Sequence, residues 1–392
     1  MSEALTHNRY PDLLSVKWSV VPVPRSANAR YDLYLSLESN DRWQRLGKGR
    51  FQWALKAIDI SVSLNEAIWL PEASQERDLS GIHGSAIASE EPDVLTWEIA
   101  ALKAGHPLQG SLLELKWGTF EVNSDGASVQ IECSAKGSQV HIVTTEGLWS
   151  HHISPNQLAI AEQALALSLL DSSETLALSS MGWQTEVAKL DDEKGDGDEW
   201  LRDRVLPIIE KITTATTDNF LELAELAGLN IATDLAGAKL LGTHLNGLDL
   251  SSANLRRVYL RGAQLCDADL SNACLEGANF TGADLSGVLL SDAPARGANF
   301  HRASLALANL SGAKLNNADF TEANLSNANL SDADLTGANL SHADLTGAGL
   351  VLSQLTNVNL DGAKVERSRF KDNPGLTEAM QEDLRSRGAI FE

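Results

Sequence analysis

The sequence predicts a mainly β protein in two parts. The C-terminal part is a coil of square section with helical caps, and the N-terminal part is an antiparallel β-rich domain with a packed helix. Three observations carry this reading. Residues 231–370 repeat every five residues without an insertion or deletion. All nine tryptophans lie at or before residue 200, so the repeat has none. Before residue 153 apolar and polar side chains alternate, as Ile58, Ile60, Val62 and Leu64 do around Asp59, Ser61 and Ser63.

At 392 residues the chain is too long for one ordinary core, so two or more domains are expected. The formal charge of −22 argues against a nucleic-acid or anionic-membrane binder. That charge is uneven: residues 231–370 hold 14 acidic and 10 basic residues, a net of −4, and most of the excess precedes them. Three separated cysteines, Cys133, Cys266 and Cys274, give no disulfide framework. The opening MSEALTHNRYPDLL has no leader character, and no apolar run approaches a membrane span. A reducing cytoplasm and no membrane partner are therefore expected.

Residues 1–190 form the first domain. Leu113, Leu115 and Trp117 alternate with Glu114 and Lys116, and Val129, Ile131 and Cys133 follow the same pattern. With turns at Asn123-Ser124-Asp125-Gly126 and Ala135-Lys136-Gly137-Ser138, they predict a three-strand meander over about 112–145. Ser154 as cap and Pro155 in the first turn start a helix over 155–170, with Leu158, Ala161, Leu165 and Leu169 on the face that packs on the sheet. Residues 191–199, DDEKGDGDE, read as a solvated acidic linker, because the ligand spacing and closing Glu of a calcium loop are absent. Over 200–230 two helical pieces are expected. One carries Leu201, Val205, Ile208 and Ile212 and is kinked or restarted at Pro207; the other runs from Asp218 as cap to Gly228 as stop. This second piece would plug the open end of the coil, which otherwise exposes apolar slots and unpaired strand edges. Residues 371–392 supply the other plug: Asn373-Pro374-Gly375 stops the repeat, and Leu376, Met380 and Leu384 mark a short helix.

A period of five fits neither a helix nor a flat strand. It fits a chain that turns a corner every five residues and sends two side chains inward. A large apolar residue occupies every position ending in 0 or 5 from Leu235 to Phe370. Most are Leu; the exceptions are Phe280, Phe300, Phe320, Phe370, Ala295 and Val365. Four sides make a twenty-residue coil, and about seven coils stacked at about 4.8 Å give a rod about 34 Å long. Phe280, Phe300 and Phe320 then share one internal column. Beside it lies Ala295, whose small side chain predicts that Phe280 or Phe300 leans over, and Pro294 predicts local irregularity on that side. Corner residues such as Gly237, Gly242, Asn272 and Asn317 suit the positive φ of a type II turn, so corners with Arg257, Arg302, Leu307 or Leu352 predict another turn type. Outside, Asn279, Asn299, Asp319, Asn339 and Asn359 form a polar ladder, and Glu276 lies between Arg256 and Arg296.

These pentapeptides, with sequences such as TEANL, SNANL, SDADL and TGANL, resemble the pentapeptide-repeat family. The resemblance covers about a third of the chain and implies a right-handed quadrilateral β-helix. The plugs at 217–230 and 371–391 are similar to those of cyanobacterial members of the family.

No nucleophile motif, phosphate-cradling loop or zinc spacing is present, so no catalytic, cofactor-binding or metal residues are assigned and no cofactor is expected. His141, His151 and His152 read as strand-end histidines, and Cys266 and Cys274 as exposed thiols. The leading functional expectation is a non-enzymatic interaction or regulatory scaffold that meets another protein through its outer surface. Members of the family that regulate metal uptake and cell differentiation support it by resemblance. A second reading follows the quinolone-resistance members, which mimic B-form DNA and occupy DNA gyrase; it requires a continuous acidic stripe that the Arg256–Glu276–Arg296 row lacks. A third places an enzyme site in residues 1–190. Self-association would use an end cap or the N-terminal domain.

Overall fold

The computed structural model describes residues 3–4, 14–23, 30–39, 42–46, 48–55, 57–65, 67–69, 77–79, 82–87, 94–101, 110–122, 128–134, 140–146, 148–149, 152–169, 175–177 and 197–391. The chain divides into two compact units. One is Met1–Trp149 with Leu165–Pro207; the other is Ser150–Ala164 with Ile208–Glu392.

The first unit is built from β1 (Glu3–Ala4), β2 (Leu14–Pro22), β3 (Arg30–Ser39), β4 (Arg42–Leu46), β5 (Gly49–Leu55), β6 (Ala57–Asn65), β7 (Ala67–Trp69), β8 (Arg77–Leu79), β9 (Ile82–Ile87), β10 (Val94–Ala101), β11 (Gly110–Val122), β12 (Ser128–Ser134), β13 (Val140–Glu146) and β14 (Thr175–Ala177). They pair antiparallel in three sheets, ordered β1-β2-β3-β11-β7, β14-β12-β6-β10-β9-β8 and β13-β5-β4. Strand β6 buries Ile60, Val62 and Leu64, while Ser61 and Ser63 stay part-exposed, as period-two alternation requires. Across β3 and β11 Lys116 reaches Asp32 at 2.8 Å, Arg30 reaches Glu121 at 3.0 Å, and Tyr31 stacks on Phe120 at 5.8 Å.

The expected meander does not form: β11, β12 and β13 enter three different sheets. Alternation reports that a strand has one buried face, but not whose edge it joins. The partners here are distant, with Ile131 opposite Val62, Phe120 opposite Tyr31 and Trp69, and Ile142 opposite Trp53. The two proposed turns fall outside the described residues.

The helices that precede the coil in the chain also differ from expectation. Helix α1 (Pro155–Leu169) opens with a capping box in which the Gln157 amide donates to Ser154 Oγ (3.1 Å) and the Ser154 amide to Gln157 Oε1 (3.2 Å). Residues Ser150–Ala164 belong to the repeat unit, not to the sheets. The reason is its polar side chains, which reach the first coil. Asn156, 1 % exposed, accepts from the His244 amide (2.9 Å) and donates to the carbonyls of His244 (3.3 Å) and Asp218 (2.8 Å). Gln163 donates to the Asp234 carbonyl (2.5 Å), and Glu162 meets Lys239 at 3.7 Å. The Asn156 amide thus supplies the donor and acceptor that a preceding coil would have given, a role no local pattern around Asn156 announces.

Helix α2 (Gly197–Thr213) runs through Pro207 as one element, and Gly197–Glu199 of the expected linker form its first turn; residues 191–196 lie outside the described residues. Pro207 and Asp203 are both exposed, so the carbonyl that loses its helical donor faces water. Helix α3 (Phe220–Ala227) buries Phe220, Leu223, Ala224 and Ala227 and is capped by Asn219, one residue later than expected, and by Gly228 in the left-handed conformation. At the far end α4 (Glu378–Ser386) is capped by Thr377. Strands β15 (Gly349–Val351), β16 (Arg369–Lys371) and β17 (Ile390–Phe391) pair in parallel, and Phe391 stacks on Phe370 at 5.1 Å.

Between the caps every β-bridge joins residues twenty apart, from Lys239–Tyr259 to Asp344–Lys364. One turn of the coil is therefore four pentapeptides. Every fifth residue from Gly237 to Asp372 has positive φ, including Arg257 (54°), Arg302 (55°), Leu307 (61°) and Leu352 (62°). A separate turn type at those corners was the wrong inference. Each corner amide from Gly237 to Leu352 donates to the next coil, as Arg257 does to the Glu276 carbonyl (2.9 Å) and Leu307 to that of Ser326 (3.0 Å). A corner of different geometry would lose that bond and misalign its neighbours, which outweighs the about 1–2 kcal/mol that an L-residue costs in this conformation.

Phe280, Phe300 and Phe320 are fully buried and stack at 5.0 and 4.7 Å with interplanar angles of 1° and 4°. Neither ring leans towards Ala295, because parallel rings at about the coil spacing keep the contacts of both faces. Around Pro294 the irregularity is one missing rung: Pro294 pairs with Lys314, and Leu275 still donates to its carbonyl (2.7 Å). What is lost is only the bond its absent N–H cannot make.

Candidate interaction surface

The coil satisfies all five amides of a pentapeptide, and this explains the residues on its outside. In the segment Ala253–Arg257, Ala253 donates to Leu250 within the turn, Asn254 to Ala232, and Leu255 and Arg257 to Cys274 and Glu276 of the next coil. The fifth amide, Arg256, donates to the Asn254 side chain (3.4 Å). The same Asx bond recurs from Ser271 to Asp269 (2.9 Å), Thr281 to Asn279 (2.9 Å), Thr321 to Asp319 (2.9 Å) and Ser341 to Asn339 (3.2 Å). The polar ladder thus serves the backbone first. Its regular Asn and Asp before each apolar slot were legible in the sequence, but their role was missed.

Inside, the apolar slots from Leu235 to Phe370 are 0–6 % exposed. Three polar residues replace the usual inward Ala, and each hydroxyl has a carbonyl: Thr243 to Leu240 (3.0 Å), Ser353 to Leu330 (2.8 Å) and Ser368 to Val365 (2.5 Å). Chemistry with another molecule is therefore left to the outer columns.

On those columns Arg256 pairs with Glu276 at 2.9 Å, Arg302 with Glu322 at 2.8 Å, and Lys364 with Asp344 at 3.3 Å. Arg296 continues the first of these columns one coil on, where the part-exposed Glu276 has a cation on either side in sequence register. The Arg302 pair holds the Glu322 carboxyl below its ordinary range. The Ser286 hydroxyl does the same for Asp284, and the Ser251 hydroxyl for Asp249. Burial pushes the thiols of Cys266 and Cys274 up, helped by Asp284 and Glu276 respectively, so both free cysteines are held protonated. This is the opposite of a reactive-thiol environment.

No group of three or more His, Cys, Asp or Glu among the described residues could hold a metal ion, and no helix among them is long and apolar enough to cross a membrane. His152 is exposed, and His151 lies outside the described residues. An open hollow beside α4, lined by Glu378, Gln381, Glu382, Arg385 and Ser386, contains no nucleophile paired with a base.

A family model described as pentapeptide repeats matches eight copies, spread over segments from 233–272 to 333–372. A pentapeptide repeat protein from Nostoc PCC 7120 is 30 % identical, over 32 % of this chain and 84 % of that one, with a TM-score of 0.20. The chain belongs to the pentapeptide-repeat family. Family membership implies a right-handed quadrilateral β-helix for the C-terminal region. HetL, a pentapeptide repeat protein involved in heterocyst differentiation regulation in Nostoc sp. PCC 7120, is 27 % identical over 39 % of this chain and 77 % of its own, with a TM-score of 0.26. QnrB1, a plasmid-mediated fluoroquinolone resistance protein, is 18 % identical over 41 % of this chain and 87 % of its own, with a TM-score of 0.23. No curated protein matches the sequence.

Proposed function

We propose that this pentapeptide-repeat protein is a non-enzymatic interaction scaffold whose seven-coil β-helix presents a rigid outer surface to another protein. The observation that carries this reading is the filled interior: Leu, Phe and Ala occupy the inward slots to near-complete burial, leaving only the outer columns to meet a ligand. Paired charges and Asx ladders on those columns fix side chains before binding, which lowers the entropy a partner must overcome. A regulatory role, of the kind the name of HetL describes for that protein, is the form of scaffold we favour, in a reducing compartment where Cys266 and Cys274 remain thiols.

DNA mimicry is the weaker reading. It requires carboxylates in successive coils, and in this sequence no outer column places them in three consecutive coils. An arginine-containing column such as Arg256–Glu276–Arg296 also opposes a phosphate-like stripe. The test is affinity capture from the native cell with the full chain and with a chain lacking residues 1–149, which keeps the Ser150–Ala164 segment of the repeat unit. A stable protein partner retained by the repeat supports the scaffold. Inhibition of DNA supercoiling by purified full-length protein, without any captured partner, would instead favour mimicry.

A further inference from the structure

One flat side of the β-helix carries charge in an order that no other side shows. Its central column is a continuous ladder of parallel bridges: Asp249, Asp269, Leu289, Asn309, Asn329, Gly349 and then Arg369. The column beside it holds Asp267 near the start, Leu307 in the middle and Arg367 at the end. The third column contributes five serines, Val351 and finally Lys371. The first two coils of this side are therefore acidic and the last is basic. Between Gly287 and Val351 its three columns contain no ionisable side chain, on a chain of net charge −22. In that neutral stretch stand two exposed leucines, Leu289 at 41 % and Leu307 at 70 %.

Leu307 is doubly unfavourable where it stands. It occupies a positive-φ corner (61°) that Gly or Asn fills at Gly247, Gly287, Asn327 and Gly347 of its column, and it exposes an apolar side chain. Arg367, Arg369 and Lys371 are exposed and make no ion pair among the described residues. An apolar centre, a charge-free surround and unpaired charges of opposite sign at the two ends are the anatomy of an interface core and rim.

We infer that this side is a lateral self-association surface, whose occupant is a second copy of the same chain running antiparallel. A two-fold axis across the Leu307 coil exchanges the first coil with the seventh and keeps each column facing itself. Leu307 then meets Leu307 of the second copy at the axis. Asp249 faces Arg369, and Asp267 and Asp269 face Gly347 and Gly349, whose small size leaves room for Arg367 and Arg369 to reach down one coil. The acidic and basic ends are about 29 Å apart at strand spacing, so the arrangement satisfies both ends of both copies only in the antiparallel register. Asp292 and Asp332, on the neighbouring corner, stay in solvent. The side is about 10 Å wide, three strand residues, so it offers roughly 300 Å² of flat face per copy. That is well below the roughly 800 Å² per partner of a standard stable interface. The dimer is consequently weak, concentration-dependent and salt-sensitive. This inference does not rest on the scaffold reading and leaves the other three sides free.

The experiment is sedimentation velocity on the full chain from roughly 1 µM to 1 mM, with three variants checked for native circular dichroism. In D249N/D267K/D269N the Asn substitutions keep the Asx bonds while the acidic end becomes basic. R367E/R369E/K371E makes the basic end acidic. Each alone should weaken self-association at least about tenfold, because like charges then face each other. An equimolar mixture of the two should recover it, since both ends of the mixed dimer are again complementary. Leu307→Asn, which suits the corner, should weaken association without lowering the melting temperature. Wild type that stays monomeric throughout, charge variants that associate as wild type does, or a mixture without recovery would overturn the inference.

Discussion

The phenylalanine column gives the sharpest test of the packing argument. Phe300 is fully buried and has a ring on each side, at 5.0 and 4.7 Å, whereas Phe280 and Phe320 have Phe300 on one side and a leucine slot on the other. Truncation of a buried Phe to Ala costs about 3–5 kcal/mol in transfer and cavity terms. With two rings losing contact, Phe300→Ala belongs at the upper end of that range. Replacement by Leu, the usual occupant of the slot, retains most of the volume and isolates the ring contacts. Stacked pairs contribute about 0.5–1.5 kcal/mol beyond their area. Phe300→Leu loses two such pairs and Phe280→Leu loses one, so the first should be more destabilising by about 0.5–1.5 kcal/mol. Urea unfolding followed by far-ultraviolet circular dichroism measures this. Tryptophan fluorescence would not, because all nine tryptophans lie in the other compact unit. Equal shifts for the two leucine variants would refute the stacking argument, and a loss under about 1 kcal/mol for Phe300→Ala would refute the close packing itself.

Asn156→Ala should destabilise the repeat unit by about 2–4 kcal/mol, since it removes a buried side chain whose three bonds hold the His244 amide and the carbonyls of His244 and Asp218; hydrogen exchange at 235–250 should rise before that of the central coils. Glu162 is held above its ordinary carboxyl range by burial, with Lys239 only partly opposing it. An acid whose pKa is raised on folding contributes stability that is present below its unfolded pKa and lost as pH rises through the folded one. Glu162→Gln should therefore raise the melting temperature at neutral pH, with the gain vanishing in acid. A gain that persists unchanged at low pH would contradict the burial argument. Cys266 and Cys274, with thiols pushed up, should react with iodoacetamide more slowly than free cysteine at mildly alkaline pH, as read by intact mass. Glu322, by contrast, is lowered by Arg302, so its contribution exists above the unfolded carboxyl pKa and is lost as pH falls; Arg302→Ala should flatten the acid limb of stability against pH.

A five-residue period determined the coil almost completely. Leu at each fifth position specified which side chains point inward, and the spacing of twenty specified which residues stack, because each coil can hydrogen-bond only with its immediate neighbours. Local chemistry was enough there: the relevant contacts recur at fixed short separation. Elsewhere the contacts are long-range, and tertiary structure decided. β11, β12 and β13 were visible as strands, but their partners are β3, β6 and β5, many tens of residues away. Arg257 and Leu307 took the left-handed corner against their own preference because stacked coils above and below impose it. Asn156 looks like any helix residue in sequence, and only its arrival beside His244 makes it part of the cap. Periodicity encodes a geometry when every unit meets its own copy. It says nothing about partners the chain reaches by folding back on itself.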